Sequence, residues 1–249
     1  MKYKICVAVP IKTGDIDVNK KIIEKALDNN PDLIEFRFDY IDEINHISPQ
    51  FLKGLSNCIP TKILKIFTFR STQEGGQYDL SIDEKCEVLR LLIETKPDYL
   101  DIEIRSESKL LKSLIDLAHE NGVKLIFSYH NFEKCLSYEE TTEILTIFNR
   151  KLTDDLNYAS DRMIDCVTKI ILTARDFDDN VVILNTCKKL SQLDYKFVCF
   201  AMGELGILSR ILCVKFGSLW TYGSSEDKTA PGQIKIEKIR EIHQLLFDN

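Results

Sequence analysis

The chain has 249 residues, 44% of them hydrophobic and 29% charged, and a formal net charge of −6. That length suits one large hydrophobic core, and the composition is that of an ordinary globular protein. An acidic balance with dispersed lysines and arginines excludes the basic face of a nucleic-acid binder, and no apolar run approaches the roughly 20 residues of a membrane span.

The N-terminal MKYKICVAVP begins directly in a strand-like run, without the apolar core and small-residue cleavage site of a signal peptide. Further strand-like runs follow at 32–40, 62–70, 99–105, 124–130, 164–172, 196–202 and 218–222, the first covering 5–10. Amphipathic stretches of helical period lie between them, as in Leu110, Leu111, Leu114, Ile115, Leu117 and Ala118. The first strand-to-helix turn, Pro10 to Gly14, lacks the glycine fingerprint of a dinucleotide site, and no phosphate loop occurs elsewhere. Ser48-Pro49 reads as an N-cap followed by a first-turn proline, and Ser81 with Glu84 and Ser137 with Glu140 read as capping boxes. Asn121-Gly122 closes a helix, and residues 152–163 form the longest irregular connection. Repeated strand-then-helix units imply parallel strands joined by right-handed crossovers. About eight of them predict an α/β chain folded as a single eight-stranded (β/α)8 TIM barrel, one domain over 1–249.

The eight cysteines, Cys6, Cys58, Cys86, Cys135, Cys166, Cys187, Cys199 and Cys213, include no C-x-x-C pair. Several lie in apolar runs, where a reduced thiol packs as a small hydrophobe. Reduced cysteines in a chain of this length place the protein in the cytoplasm.

Two strands carry charge at every second position: Glu35, Arg37 and Asp39 alternate with Ile34, Phe36, Phe38 and Tyr40, and Asp101, Glu103 and Arg105 with Leu100, Ile102 and Ile104. Helices cover both faces of a parallel sheet, so the apolar residues must meet the helices and the charged ones point into the barrel. Charge there is costly unless paired, which puts it near the open end, where the fold carries its sites. Arg70, His130 and Lys169 also fall at or near strand ends. Of the four histidines, only His130 ends a strand; it can be a structural imidazole or a catalytic one. Lys169 lies within the apolar CVTKIIL, where lost solvation favours the neutral amine that attacks carbonyls. The same lysine could instead reach out past the rim or pair with a carboxylate, and its own strand does not choose between these.

Taken in order, the motifs resemble the type I 3-dehydroquinate dehydratase family over nearly the whole chain. They are Glu35-Phe-Arg37-Phe-Asp39, Thr68-Phe-Arg70-Ser71, Glu74-Gly-Gly76, Asp101-Ile-Glu103, Ser128-Tyr-His130-Asn-Phe132 and Lys169. Met202-Gly203, Gly206, Ser209-Arg210, Phe216-Gly217-Ser218, Thr221-Tyr222 and Ala230-Pro-Gly-Gln233 follow. The resemblance implies an eight-stranded barrel that dehydrates 3-dehydroquinate to 3-dehydroshikimate, in the shikimate pathway of aromatic amino-acid biosynthesis. It implies that Lys169 forms an imine with the substrate ketone, that His130 moves the proton, and that Glu103 orients His130. It further implies Arg210 on the substrate carboxylate, assisted by Gln233 and Thr229. Glu35, Arg37 and Arg70 would read the ring hydroxyls, and Met202 and Tyr222 would be apolar walls. A homodimer is implied, with no cofactor and no metal. Cys135-Leu136 stands where the family commonly has Thr-Pro, and Tyr222 and Thr229 replace a frequent phenylalanine and serine. Residues 224–233 read as a closing segment over the site.

Three rivals frame this expectation. A class I aldolase-like lyase would share the strand lysine, but usually has a phosphate-binding glycine-rich turn near the last strands. A metal-dependent barrel would set a divalent cation beside Lys169 and several arginines, although an iminium already supplies the electron sink. A non-catalytic binder of hydroxylated acids would need neither a nucleophile nor a base.

Overall fold

The computed structural model describes residues 3–155, 166–193, 195–225 and 232–247. Eight parallel strands among them form a nearly closed barrel: β1 (Lys4–Pro10), β2 (Leu33–Arg37), β3 (Leu64–Thr68), β4 (Tyr99–Glu103), β5 (Lys124–His130), β6 (Val167–Thr173), β7 (Phe197–Met202) and β8 (Trp220–Gly223). Neighbours pair in chain order, and β1 pairs with β8. The one loose join lies between β7 and β8. There Leu219 N–H donates to Phe197 O at 2.9 Å, while the Cys199 and Ala201 amides donate to the hydroxyls of Ser218 (3.4 Å) and Ser209 (2.9 Å).

The helices around the barrel are α1 (Ile16–Asp28), α2 (Pro49–Asn57), α3 (Ile82–Glu94), α4 (Ser108–Asn121), α5 (Tyr138–Arg150), α6 (Asp179–Gln192), α7 (Ile207–Leu212) and α8 (Ile236–Phe247). Their ends follow local chemistry. Ser81 and Ser137 make the capping boxes with Glu84 and Glu140, the Ser48 hydroxyl accepts from Phe51 N–H with Pro49 in the first turn, and Gly122 ends α4 at φ +71°. The expected irregular stretch at 152–163 differs in its first part. Lys151–Asp155 continues α5 as a π-helical turn, and 156–165 lie outside the described residues.

Strand parity sorts the side chains as expected. Ile34, Phe36, Phe67, Leu100 and Ile102 are buried on the helix side. On the inner side Leu33, Ile66, Ile126 and Trp220 lie low in the barrel, and Tyr99 meets the Trp220 ring at 5.8 Å. Two residues further along their strands come Glu35, Thr68, Asp101, Ser128 and Lys169, all buried. The rim beyond carries Arg37, Arg70, His130 and Met202. Tyr40 departs from the expected alternation: Phe38–Tyr40 is a 3-10 turn past the end of β2, so Tyr40 comes round to the cavity. No helix among the described residues is long and apolar enough to cross a membrane.

Candidate active site

The strand ends open on a cavity of about 220 Å³. Nine of the eleven residues singled out from the sequence line it: Glu35, Arg37, Arg70, His130, Lys169, Met202, Arg210, Tyr222 and Gln233. Thr229 and most of the expected closing segment (226–231) lie outside the described residues. Glu103 does not line this cavity; it lines a second one of about 250 Å³ directly behind.

Lys169 is buried, with Nζ 3.2 Å from Glu35 Oε1 and 3.1 Å from Asp101 Oδ2, and 4.7 Å from the centre of the Tyr222 ring. Lys169 is thus both buried and paired with two carboxylates, the pairing that its own strand had left open. Burial alone would raise the Asp101 carboxyl, but Arg70 and Lys169 outweigh it and hold it at about 2. Glu35 also stays below the usual carboxylate range: burial pushes it up, and Lys169, with Arg37 and Arg70, together more than offset that.

Arg70 binds this layer together. Nη2 meets Asp101 Oδ1 at 2.8 Å and Nη1 donates to Ser128 Oγ at 2.6 Å, while Ser128 donates to the same Asp101 oxygen. Arg37 makes two parallel bonds to Asp39, at 2.7 and 2.8 Å, which fixes its guanidinium at the rim.

The carboxylate that meets His130 is Glu74, not Glu103. Glu74 Oε2 accepts the His130 backbone N–H at 3.1 Å and lies 2.9 Å from Nδ1. With Nδ1 assigned the proton from this network, Nε2 is left for a substrate. The imidazole is held well below its ordinary range by burial first, then by Arg70, Lys169 and Arg37, so it stands as a neutral base. Burial also pushes the Glu74 carboxyl up to about 7. Glu103 instead accepts from Ser71 N–H (2.7 Å) and Ser71 Oγ (3.0 Å), and pairs with Lys85. Parity put Glu103 inside the barrel and the resemblance set it beside His130; Glu74 sits on the 3-10 turn Thr72–Glu74, where no strand or helix period applies. Its only signal was the Glu74-Gly-Gly76 motif. That turn is tight: a Cβ on Gly76 would lie 1.9 Å from Arg70 O.

The opposite wall comes from β7, β8 and α7. Arg210 is 1% exposed and its guanidinium stacks on Phe200 at 4.5 Å. Burial lowers Arg210 to about 10, so an anion brought into the cavity would favour its charged form. Phe200, Met202 and Tyr222 supply apolar surface around it. This arrangement suits a small anion with a carbonyl and several hydroxyls. Among the described residues, no cluster of three or more His, Cys, Asp or Glu side chains is placed to hold a metal ion.

The model of the type I 3-dehydroquinase family matches residues 5–249. The chain is 32% identical over 248 residues to the 3-dehydroquinate dehydratase of Syntrophotalea carbinolica, covering 98% of this chain and 92% of that protein. It is 29% identical over 251 residues to that of Bacillus subtilis, covering 99% and 92%. Among solved structures it resembles the type I 3-dehydroquinate dehydratase of Clostridium difficile with covalently modified comenic acid, at TM-score 0.80 and 28% identity over 98% and 92% of the two chains. A dihydropteroate synthase from Stenotrophomonas maltophilia, at TM-score 0.64 and 11% identity over 98% and 93%, shares the fold alone.

Proposed function

The chain belongs to the type I 3-dehydroquinase family, and from that premise we propose how its cavity works on 3-dehydroquinate. The protein is a 3-dehydroquinate dehydratase of the shikimate pathway. In our reading the whole chain, 1–249, is one catalytic domain. Lys169, held at 3.2 and 3.1 Å from Glu35 and Asp101, reacts after giving one proton to solvent. The free amine attacks the C3 ketone, and the carbinolamine takes a proton back from solvent, loses one water and becomes a protonated imine. The iminium draws electrons from C2, and His130 Nε2 removes the C2 proton. The resulting enamine pushes out the C1 hydroxyl, which takes its proton from the His130 cation and leaves as water. Water then hydrolyses the conjugated imine, returning the lysine and releasing 3-dehydroshikimate.

The other residues divide binding from proton transfer. Arg210 takes the carboxylate with two parallel hydrogen bonds, and Gln233 and Thr229 assist. Glu35, Arg37 and Arg70 read the hydroxyls, and Met202 and Tyr222 shape the apolar wall. Glu74, rather than Glu103, positions His130 and steadies its cation, while Glu103 acts at one remove. The observation that carries this reading is that a buried amine and an imidazole whose Nδ1 is already engaged by Glu74 open on the same cavity.

Borohydride reduction with 3-dehydroquinate, followed by peptide mass mapping, tests it. We expect a stable adduct on Lys169 and loss of activity. No adduct, or an adduct on a different lysine, overturns the imine. The reading includes a homodimer, checked by sedimentation for twice the 28.8 kDa of the chain. It also includes a cytoplasmic location, which the buried thiols Cys6, Cys187, Cys199 and Cys213 suit and which fractionation would check.

A further inference from the structure

Behind the catalytic imidazole a line of contacts leads out of the substrate cavity. Glu74, which holds His130, follows the 3-10 turn from Ser71. The Ser71 carbonyl accepts the backbone N–H groups of Glu74 (3.0 Å) and Gly76 (2.8 Å). Ser71 in turn gives both its N–H and its hydroxyl to one oxygen of Glu103. The other Glu103 oxygen is held by Lys85 of α3. Lys85 Nζ does not line the substrate cavity; with its side chain 13% exposed, it lines the second cavity together with Asp79, Arg105 and Glu107.

We propose that Lys85 is a positioning residue for the dehydration. By neutralising Glu103 from outside the substrate cavity, it fixes the Ser71–Glu74 turn and so aims His130. The inference rests on the assignment of His130 as the base.

The charge balance explains why a cation is needed there. Arg70 faces Asp101 at 2.8 Å, Glu103 at 3.5 Å and Glu74 at 3.8 Å, and among the described residues it is the only arginine joining all three. With Lys85 present, Glu103 has its own partner and Arg70 can stay on Asp101 and Ser128. Without Lys85, a carboxylate whose side chain is 5% exposed would draw on Arg70 alone. A buried charge that loses its partner is strongly unfavourable. Either Arg70 shifts toward Glu103, or Glu103 takes a proton and loosens its grip on Ser71. Both outcomes move the turn that carries Glu74, and the second leaves the Asp101–Lys169 pair and the carboxylate-binding wall in place.

The test uses the full chain with 3-dehydroquinate. For Lys85→Met we expect kcat to fall about tenfold, short of the roughly hundredfold that a 1 Å misplacement can cost. KM should stay within about twofold, and borohydride should still trap the imine on Lys169. Lys85→Arg should restore most of the turnover. Glu103→Gln should resemble Lys85→Met, and the double variant should lose no more than either single one, because both break the same link. Turnover of Lys85→Met within about twofold of wild type overturns the proposal. So does a joint loss of kcat, substrate affinity and trapping that arginine fails to rescue, or fully additive losses in the double variant. Failure of wild type itself to trap the imine would instead strike the reading on which the inference rests.

Discussion

The two walls of the cavity solve the problem of buried charge in opposite ways. On the β2–β6 side, Glu35, Arg70, Asp101 and Lys169 compensate one another at 2.8–3.2 Å, so the layer is charged yet nearly closed on itself. On the β7–β8 side, Arg210 lies against Phe200, and burial lowers it to about 10. The first wall is held by its own partners and changes little until a proton moves. The second gains when an anion arrives. In the proposed mechanism the proton and imine chemistry lies on the first wall and the carboxylate contact on the second, so each can be broken separately.

The largest effect should come from the lysine of the first wall. Lys169→Ala is expected to lose activity by at least about a thousandfold, measured as 3-dehydroshikimate formation, with no borohydride adduct. Near-normal turnover would remove the imine from the mechanism. His130→Ala should lower turnover by about a hundredfold to ten-thousandfold while leaving the adduct intact, which separates the base from the nucleophile on the same wall.

Stability and binding should divide the walls more plainly. Asp101→Asn removes a partner from both Arg70 and Lys169 and is expected to cost about 3–5 kcal/mol in denaturant unfolding. Arg210→Met is read in binding instead: KM should rise about tenfold to a hundredfold, the range of a lost charge-assisted pair, while borohydride still traps the imine on Lys169. Unchanged KM for Arg210→Met, or unchanged stability for Asp101→Asn, would erase the contrast. Asp101 also sets a pH signature. Its carboxyl lies at about 2 when folded and near 3.8 when unfolded, so its contribution is present above about pH 4 and lost as pH falls through about 2. Asp101→Asn should flatten that part of the melting curve against pH. The smallest effect is spectroscopic. An NMR titration of His130 should have its midpoint below 6.5, because burial and three neighbouring cations disfavour the imidazolium. A midpoint at or above 6.5 would deny the wall a neutral base.

Most of the first wall was legible before any coordinates. Alternation of charge and hydrophobe in 32–40 and 99–105 has one physical solution in a sheet covered on both faces, and it placed Glu35, Arg37 and Asp101 inside. Parity could not tell which carboxylate touches His130, because Glu74 approaches from a turn with no period, whereas Glu103 occupies the strand position that looked closest. It also could not show that Lys169 is held by Glu35 and Asp101, since that pairing spans 134 and 68 residues of sequence. The second wall depended on family resemblance: Ser209-Arg210 lies in a short helix that alone could be a surface ion pair. The continuation of α5 as Lys151–Asp155 had no signal, because a π turn uses the same residues as an α turn.

The loose join of the barrel gives the second wall a mechanical character of its own. A hoop is as stiff as its weakest link, and between β7 and β8 the ladder is replaced at two amides by serine hydroxyls, which rotate where a carbonyl cannot. The ladder is therefore weakest beside the strands that carry Phe200, Met202 and Tyr222, and unbroken on both sides of the strand that holds Lys169.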